Sequence, residues 1–157
     1  VLYRLVILGQ AGEAEIVAEL RRDPSGQGTE HAARCRAALP DIDAKARAWA
    51  TVVQDDNGSA RLLAATADGF WQPEQEELTA GYVPRYFVDL PAIASRRSAM
   101  SLLHVASFGY PRFAVSADTV TAAEAMLTRD DLDPMLRRVV VDATDELRRA
   151  LAARAFG

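Results

Sequence analysis

Few side chains in this sequence could do chemistry, and their spacing limits what that chemistry could be. There are two histidines, His31 and His104, and one cysteine, Cys35. His31 and Cys35 stand four residues apart, so on a helix they share a face and could offer two ligands to a zinc ion. No third Cys or His lies near them in sequence, and a small buried Cys beside a surface His accounts for the pair equally well. Neither histidine opens an H-E-x-x-H motif: His31 begins His-Ala-Ala-Arg-Cys and His104 begins His-Val-Ala-Ser-Phe. By itself the chain is not a zinc peptidase of that type. No serine sits in a nucleophile elbow. Gly26-Gln27-Gly28 is not followed by the Lys-Ser of a phosphate loop, and the carboxylate pairs Asp55-Asp56 and Asp130-Asp131 fall where helix ends are expected. The inventory assigns the chain no catalytic residue, no cofactor-binding residue and no metal ligand.

The elements that position these groups all read as helices, because every periodic segment has the 3.6-residue spacing and none alternates like a half-buried strand. A short helix ends near Leu8-Gly9, and Ala11 to Arg22 forms the next, closed by Asp23-Pro24-Ser25-Gly26. Thr29 is the expected cap of a helix reaching about Ala38. Asp41 caps another, with Ile42, Ala46, Trp49 and Val53 expected inward; Asp56-Asn57-Gly58 ends it, with Gly58 or Asn57 suited to a left-handed terminal position. Ser59 caps a helix running from Ala60 to about Phe70. Five of the eleven aromatics (Phe70, Trp71, Tyr82, Tyr86, Phe87) then crowd the stretch Gly69 to Leu90, where Pro73 suits a first helical position. Leu78, Tyr82 and Tyr86 make an apolar stripe there, and Gly81 and Pro84 predict a kink or break. Pro91 is expected to open a long helix with Ile93, Met100, Leu103 and Ala106 inward. Ser116 or Asp118 caps a shorter one, and Asp133-Pro134 starts a last helix striped by Leu136, Val140, Ala143, Leu147 and Leu151.

Grouped as antiparallel pairs, these helices start near residues 11, 41, 74 and 117, the spacing of a HEAT- or armadillo-like α-solenoid. The expected fold is all-α, with about eight to nine helices in residues 1–157. A compact irregular bundle fits the same loop lengths.

Eighteen basic and twenty-two acidic residues give a net charge of −4, with the signs mixed along the chain. That argues against a nucleic-acid partner, which requires a concentrated basic face. The doublets Arg21-Arg22, Arg96-Arg97, Arg137-Arg138 and Arg148-Arg149 read as solvated helix faces. No apolar run approaches the ~18 residues of a membrane span. A lone cysteine fits a reducing compartment, hence a cytoplasmic location. The start, Val-Leu-Tyr-Arg-Leu-Val-Ile-Leu, lacks a basic flank and reads as the interior of a longer polypeptide rather than a signal peptide. In such a piece Leu2, Leu5, Val6 and Leu8 are expected to form an exposed apolar patch through which isolated copies could self-associate.

Several stretches, in order along nearly the whole chain, resemble the C-terminal helical domain of the large zinc aminopeptidases of the aminopeptidase N family, particularly its actinobacterial branch. They are Gly12-Glu13-Ala14-Glu15-Ile16 with Glu19-Leu20-Arg21-Arg22-Asp23, Gly28 to Ala38, and Ala44-Lys45-Ala46-x-Ala48-Trp49. Gly69-Phe70-x-Gln72-Pro73-x-Gln75, Tyr82-Val83-x-x-Tyr86-Phe87, Leu136-Arg137-Arg138 and Asp145-x-x-Arg148-Arg149 follow. The resemblance implies a non-catalytic part of an enzyme whose separate catalytic domain holds the zinc. This part would cap the active-site chamber and restrict peptide access, its partners being the catalytic domain of the same polypeptide and the enclosed peptide. It would be the last part of a larger helical domain whose first helices precede Val1 and whose end lies near Phe156-Gly157. Trp71, Gln72, Arg137 and Arg138, amphipathic or polar groups at helix starts and ends, are then the candidate chamber-wall residues. An independent α-solenoid adaptor that binds a peptide or protein on its concave face is the competing reading.

The pattern places Trp49 in the core. Trp49→Ala should then cost about 3–5 kcal/mol in a urea titration, whereas a loss below ~1 kcal/mol would place the indole at the surface.

Overall fold

The computed structural model describes residues 1–56 and 58–155. The described residues form helices and no strands. The helices are α1 (Leu2–Ile7), α2 (Glu13–Arg22), α3 (Gly26–Ala37), α4 (Ile42–Gln54), α5 (Ala60–Phe70), α6 (Glu76–Thr79, one turn), α7 (Val83–Ile93), α8 (Ala99–Phe108), α9 (Ala117–Leu127) and α10 (Pro134–Ala155). Apart from the single turn of α6 this is nine helices among the described residues, the upper end of the sequence expectation.

Their packing is that of stacked antiparallel pairs. The second helices of the pairs form one layer, with α3 against α5, α5 against α8, and α8 against α10. The first helices form the other, where α4 meets α7 and α7 meets α9. One apolar cluster runs from Ala37 and Trp49 through Phe70, Tyr86 and Val105 to Val140. A smaller one, with Val6, Ile7, Ile16, Ala32 and Cys35, fills the α1–α2–α3 end.

Several ends fall where side-chain chemistry places them. Asp41 accepts the Ala44 N–H at 2.8 Å, and Ser116 accepts that of Thr119 at 3.2 Å. Asp133 takes the N–H groups of Met135 and Leu136, with Pro134 as the first helical residue. The break expected at Gly81–Pro84 is present as a 3₁₀ turn over Ala80–Tyr82, and Pro84 is tolerated in the first turn of α7 because its N–H would be unpaired there anyway.

Other expectations are corrected. The cap of α3 is Ser25, whose Oγ accepts the Gly28 N–H at 3.1 Å, so that helix starts a turn before Thr29. Ile42 is 67 % exposed and Ala46 is also outside, because the inward face of α4 is Ala44, Lys45, Ala48, Trp49, Val52 and Val53. Pro91 lies inside α7 and opens nothing. After a 3₁₀ turn (Ala94–Arg96) and an extended Arg97, Ser98 caps a separate α8. Its buried residues are Ser101, Leu102, Val105 and Ala106, while Met100 is 55 % exposed and Leu103 also faces outward. Val6 is fully buried against α3 and cannot contribute to a surface patch, although Leu8 is exposed. Asn57 and the Phe156-Gly157 end lie outside the described residues.

The backbones of α3 and α5 approach closely at Gly69. A methyl group on Gly69 would stand 2.2 Å from the Arg34 carbonyl oxygen, so only glycine lets these backbones touch. That contact brings the carboxyl ends of α3 and α5 side by side, and Lys45 closes both. Its ammonium donates to the Ala37 carbonyl at 2.8 Å and the Phe70 carbonyl at 2.7 Å, and it is fully buried. Burial pushes its pKa down to about 7, while two helix-terminal carbonyls favour the charged form. Lys45→Met should cost about 2–4 kcal/mol by leaving both carbonyls without this donor. In the native state Lys45 sheds its proton above about pH 7, whereas the unfolded lysine holds it to about pH 10.4. The unfolded chain therefore binds more protons in that window, and the stability of the wild type relative to Lys45→Met should rise from pH 7 to pH 10 in paired urea titrations.

Candidate functional site: an apolar groove with an acidic rim

The broken region between α5 and α7 and the segment leading into α9 enclose a half-open groove of about 380 Å³. Trp71 and Gln72 form its inner wall, with Thr79, Val83 and Pro84 on one side and Phe113, Thr119 and Ala122 on the other. Trp71 ends α5 in an extended conformation that leads the chain out of the helix. Its indole N–H donates to the Gly109 carbonyl at 2.7 Å, and its ring packs edge-on against Phe70 at 4.9 Å. The Gln72 amide donates to the Tyr3 hydroxyl (2.7 Å) and the Gly69 carbonyl (3.0 Å). Both groups are buried, so they fix the wall's shape rather than offering free donors.

The hydroxyl groups of the lining also have protein partners. The Thr79 hydroxyl donates to the Gln75 carbonyl at 3.2 Å, and the Ser116 and Thr119 hydroxyls bond each other at 2.9 Å. The ionisable side chains on the groove are Glu76 and Asp118, both exposed. Phe113 stands at the lip, 40 % exposed.

The four sequence-chosen wall residues therefore separate. Trp71 and Gln72 line one groove together. Arg137 does not join them: its guanidinium donates to the Leu127 and Arg129 carbonyls, both at 2.6 Å, at the far end of α9. From Thr119 to Leu127 is about 12 Å along the helix axis. Arg138 is exposed on α10. Sequence reasoning missed Phe113, Val83 and the two rim carboxylates. The available signals were an aromatic in a long inter-helix connection and acidic residues in the first turns of α6 and α9, a position that the helix dipole explains without any ligand.

His31 and His104 both border a shallow polar recess over α3, α5 and α8, with Arg34, Arg61 and Asp68. His31 Nε2 lies 3.7 Å from the Cys35 sulfur, and burial raises the Cys35 thiol pKa. Among the described residues no group of three or more His, Cys, Asp and Glu side chains is placed to hold a metal ion. Among them, too, no helix is long and apolar enough to cross a membrane.

Residues 1–149 match the ERAP1-like C-terminal domain family. The chain belongs to that family. It is also similar to an aminopeptidase N of Streptomyces lividans, with 39 % identity over 152 residues. The match covers 97 % of this chain but 18 % of that relative, so the chain spans about a fifth of the length of the aminopeptidase it resembles. An ERAP1-like C-terminal domain is the C-terminal part of such proteins, which accords with a chain carrying stacked helices and a preformed groove.

The indole of Trp71 ties the groove wall to the end of α8. Trp71→Phe keeps an aromatic ring but removes the donor to Gly109, and should lower stability by about 1–2 kcal/mol in a urea titration.

Proposed function

We propose that this chain is a non-catalytic C-terminal portion of a cytoplasmic zinc aminopeptidase, capping the active-site chamber and restricting which peptides reach it. The observation that carries the reading is the colinear match of 97 % of this chain to less than a fifth of an aminopeptidase N. The chemistry of the chain agrees with such a division of labour. Its histidines lack H-E-x-x-H, and its buried polar groups tie helices together. In this reading the zinc belongs to the catalytic domain of the parent protein. What this chain would supply is a rigid wall, since steric filtering and exclusion of bulk water both require surfaces that do not yield. Of the four candidate wall residues, Trp71 and Gln72 serve in the groove wall and Arg138 on an exposed helix face. Arg137 lies away from that groove and holds the far end of α9.

The test is made on the parent aminopeptidase with and without residues 1–157. Removing them should change the ratio of kcat/KM for a ten-residue peptide to that for an aminoacyl anilide by about tenfold or more, because filtering acts on size. An unchanged ratio in a folded, zinc-loaded enzyme would sink the capping role. The isolated chain should show no chelator-sensitive hydrolysis of the anilide.

A further inference from the structure

On the other side of Glu76 from the apolar groove lies a second recess, lined by Ile7, Leu8, Pro40, Pro73 and Leu78, together with Glu74, Gln75 and Glu77. The two depressions share Glu76. The polar chemistry of the second recess is that of an acceptor. Gln75 donates through Nε2 to the Ile7 and Ala38 carbonyls, both at 2.9 Å, which uses both amide hydrogens. Its Oε1 is buried without a hydrogen-bond partner among the described residues, although Gln75 as a whole is only 4 % exposed. Glu74 is paired with Arg4, whereas Glu76 and Glu77 are exposed and have no cation within ion-pairing distance among the described residues. Among the described residues no Lys, Arg or His lines either depression.

A ligand for this surface must therefore bring the donors and the positive charge. We propose that the paired depressions bind a peptide segment with an apolar side chain next to a lysine or arginine. The apolar group enters the groove between Val83 and Phe113. The cationic side chain crosses Glu76 into the second recess, where its alkyl stem lies against Leu8, Pro40 and Leu78 and its head meets the exposed carboxylates of Glu76 and Glu77. Long cationic side chains suit such a site because their stems bury while their heads keep polar partners. The inference rests on the capping reading for the identity of the segment as a substrate peptide, and it adds the class of peptide held.

The test uses the 157-residue chain and acetylated, amidated tripeptides in titration calorimetry at low salt. Leu-Arg-Leu should bind at least about tenfold more tightly than Leu-Glu-Leu, and more weakly as salt is raised, since exposed charges are screened. The double variant Glu76→Gln/Glu77→Gln should lose about fivefold or more of the affinity for Leu-Arg-Leu, and Phe113→Ala about threefold, each with unchanged circular dichroism. Both changes are at exposed positions, so folding is preserved in the readout. Equal affinity for the two peptides, indifference of the double variant, or no heat of binding up to about 5 mM peptide overturns the proposal. None of these results touches the capping reading, which the size-selectivity experiment on the parent enzyme decides separately.

Discussion

A carbonyl at the end of a helix, once covered by the next layer, must find a donor that the helix itself cannot provide. This requirement organises the whole stack. Glycine in a left-handed conformation closes α1, where Gly9 has φ +69°. The ends of α3, α4, α5, α8 and α9 have negative φ at their caps and rely on other residues. Lys45 closes α3 and α5 together, and Gln75 takes the Ile7 and Ala38 carbonyls. Arg97 takes the Val52 carbonyl at 2.7 Å and that of Asp55, while Tyr86 and Trp71 take those of Ala106 and Gly109. In each case the donor comes from a different element than the acceptor. Where a helix stops and what it packs against are therefore set by one contact.

The same constraint explains why the groove is preformed. Trp71, Gln72 and Gln75 lie within five residues of one another; Trp71 and Gln75 donate to carbonyls at the ends of other elements, and Gln72 donates to the Gly69 carbonyl and the Tyr3 hydroxyl. The broken segment from Pro73 to Tyr82 is thereby fixed at several points despite having only single turns of helix. Its surface is left with acceptors, because the donors point inward. The acidic character of the two depressions comes from Glu76, Glu77 and Asp118, which stand in the first turns of α6 and α9.

Much of this was legible in the sequence. The 3.6-residue period gave the helices and their pairing, and Asp41, Pro73, Ser116 and Asp133-Pro134 marked ends by local hydrogen-bond chemistry that needs no tertiary information. The errors about which faces of α4 and α8 point inward, and about the Arg96-Arg97 doublet, go together. Ile42, Met100 and Leu103 are apolar residues that face solvent, while Lys45 and Arg97 are cations that face the core. Hydrophobic periodicity reads a cation as outward, so it rotated α4 toward Ile42 and counted Arg96-Arg97 as a solvated doublet. The Arg97 side chain is in fact 1 % exposed. No local rule says that a lysine at the second turn of a helix will be needed by two other helices; the need arises only when Gly69 lets α3 and α5 touch.

The candidate wall residues divide along the same line. Trp71 and Gln72 were chosen as amphipathic groups at a helix end, and they share a groove because that end is where α5 hands the chain to the broken segment. Arg137 was chosen by the same rule, but a guanidinium carries five donors, and two orphan carbonyls lie within its reach at the end of α9. Exposed ion pairs such as Arg129–Asp131 or Arg148–Glu124 contribute little to stability and could be rearranged without consequence for the stack. Buried donors cannot, since removing one strands a carbonyl. In this fold a basic residue near a helix end is accordingly more informative about architecture than about ligands, and the surface where ligand chemistry survives is the one from which bases are absent.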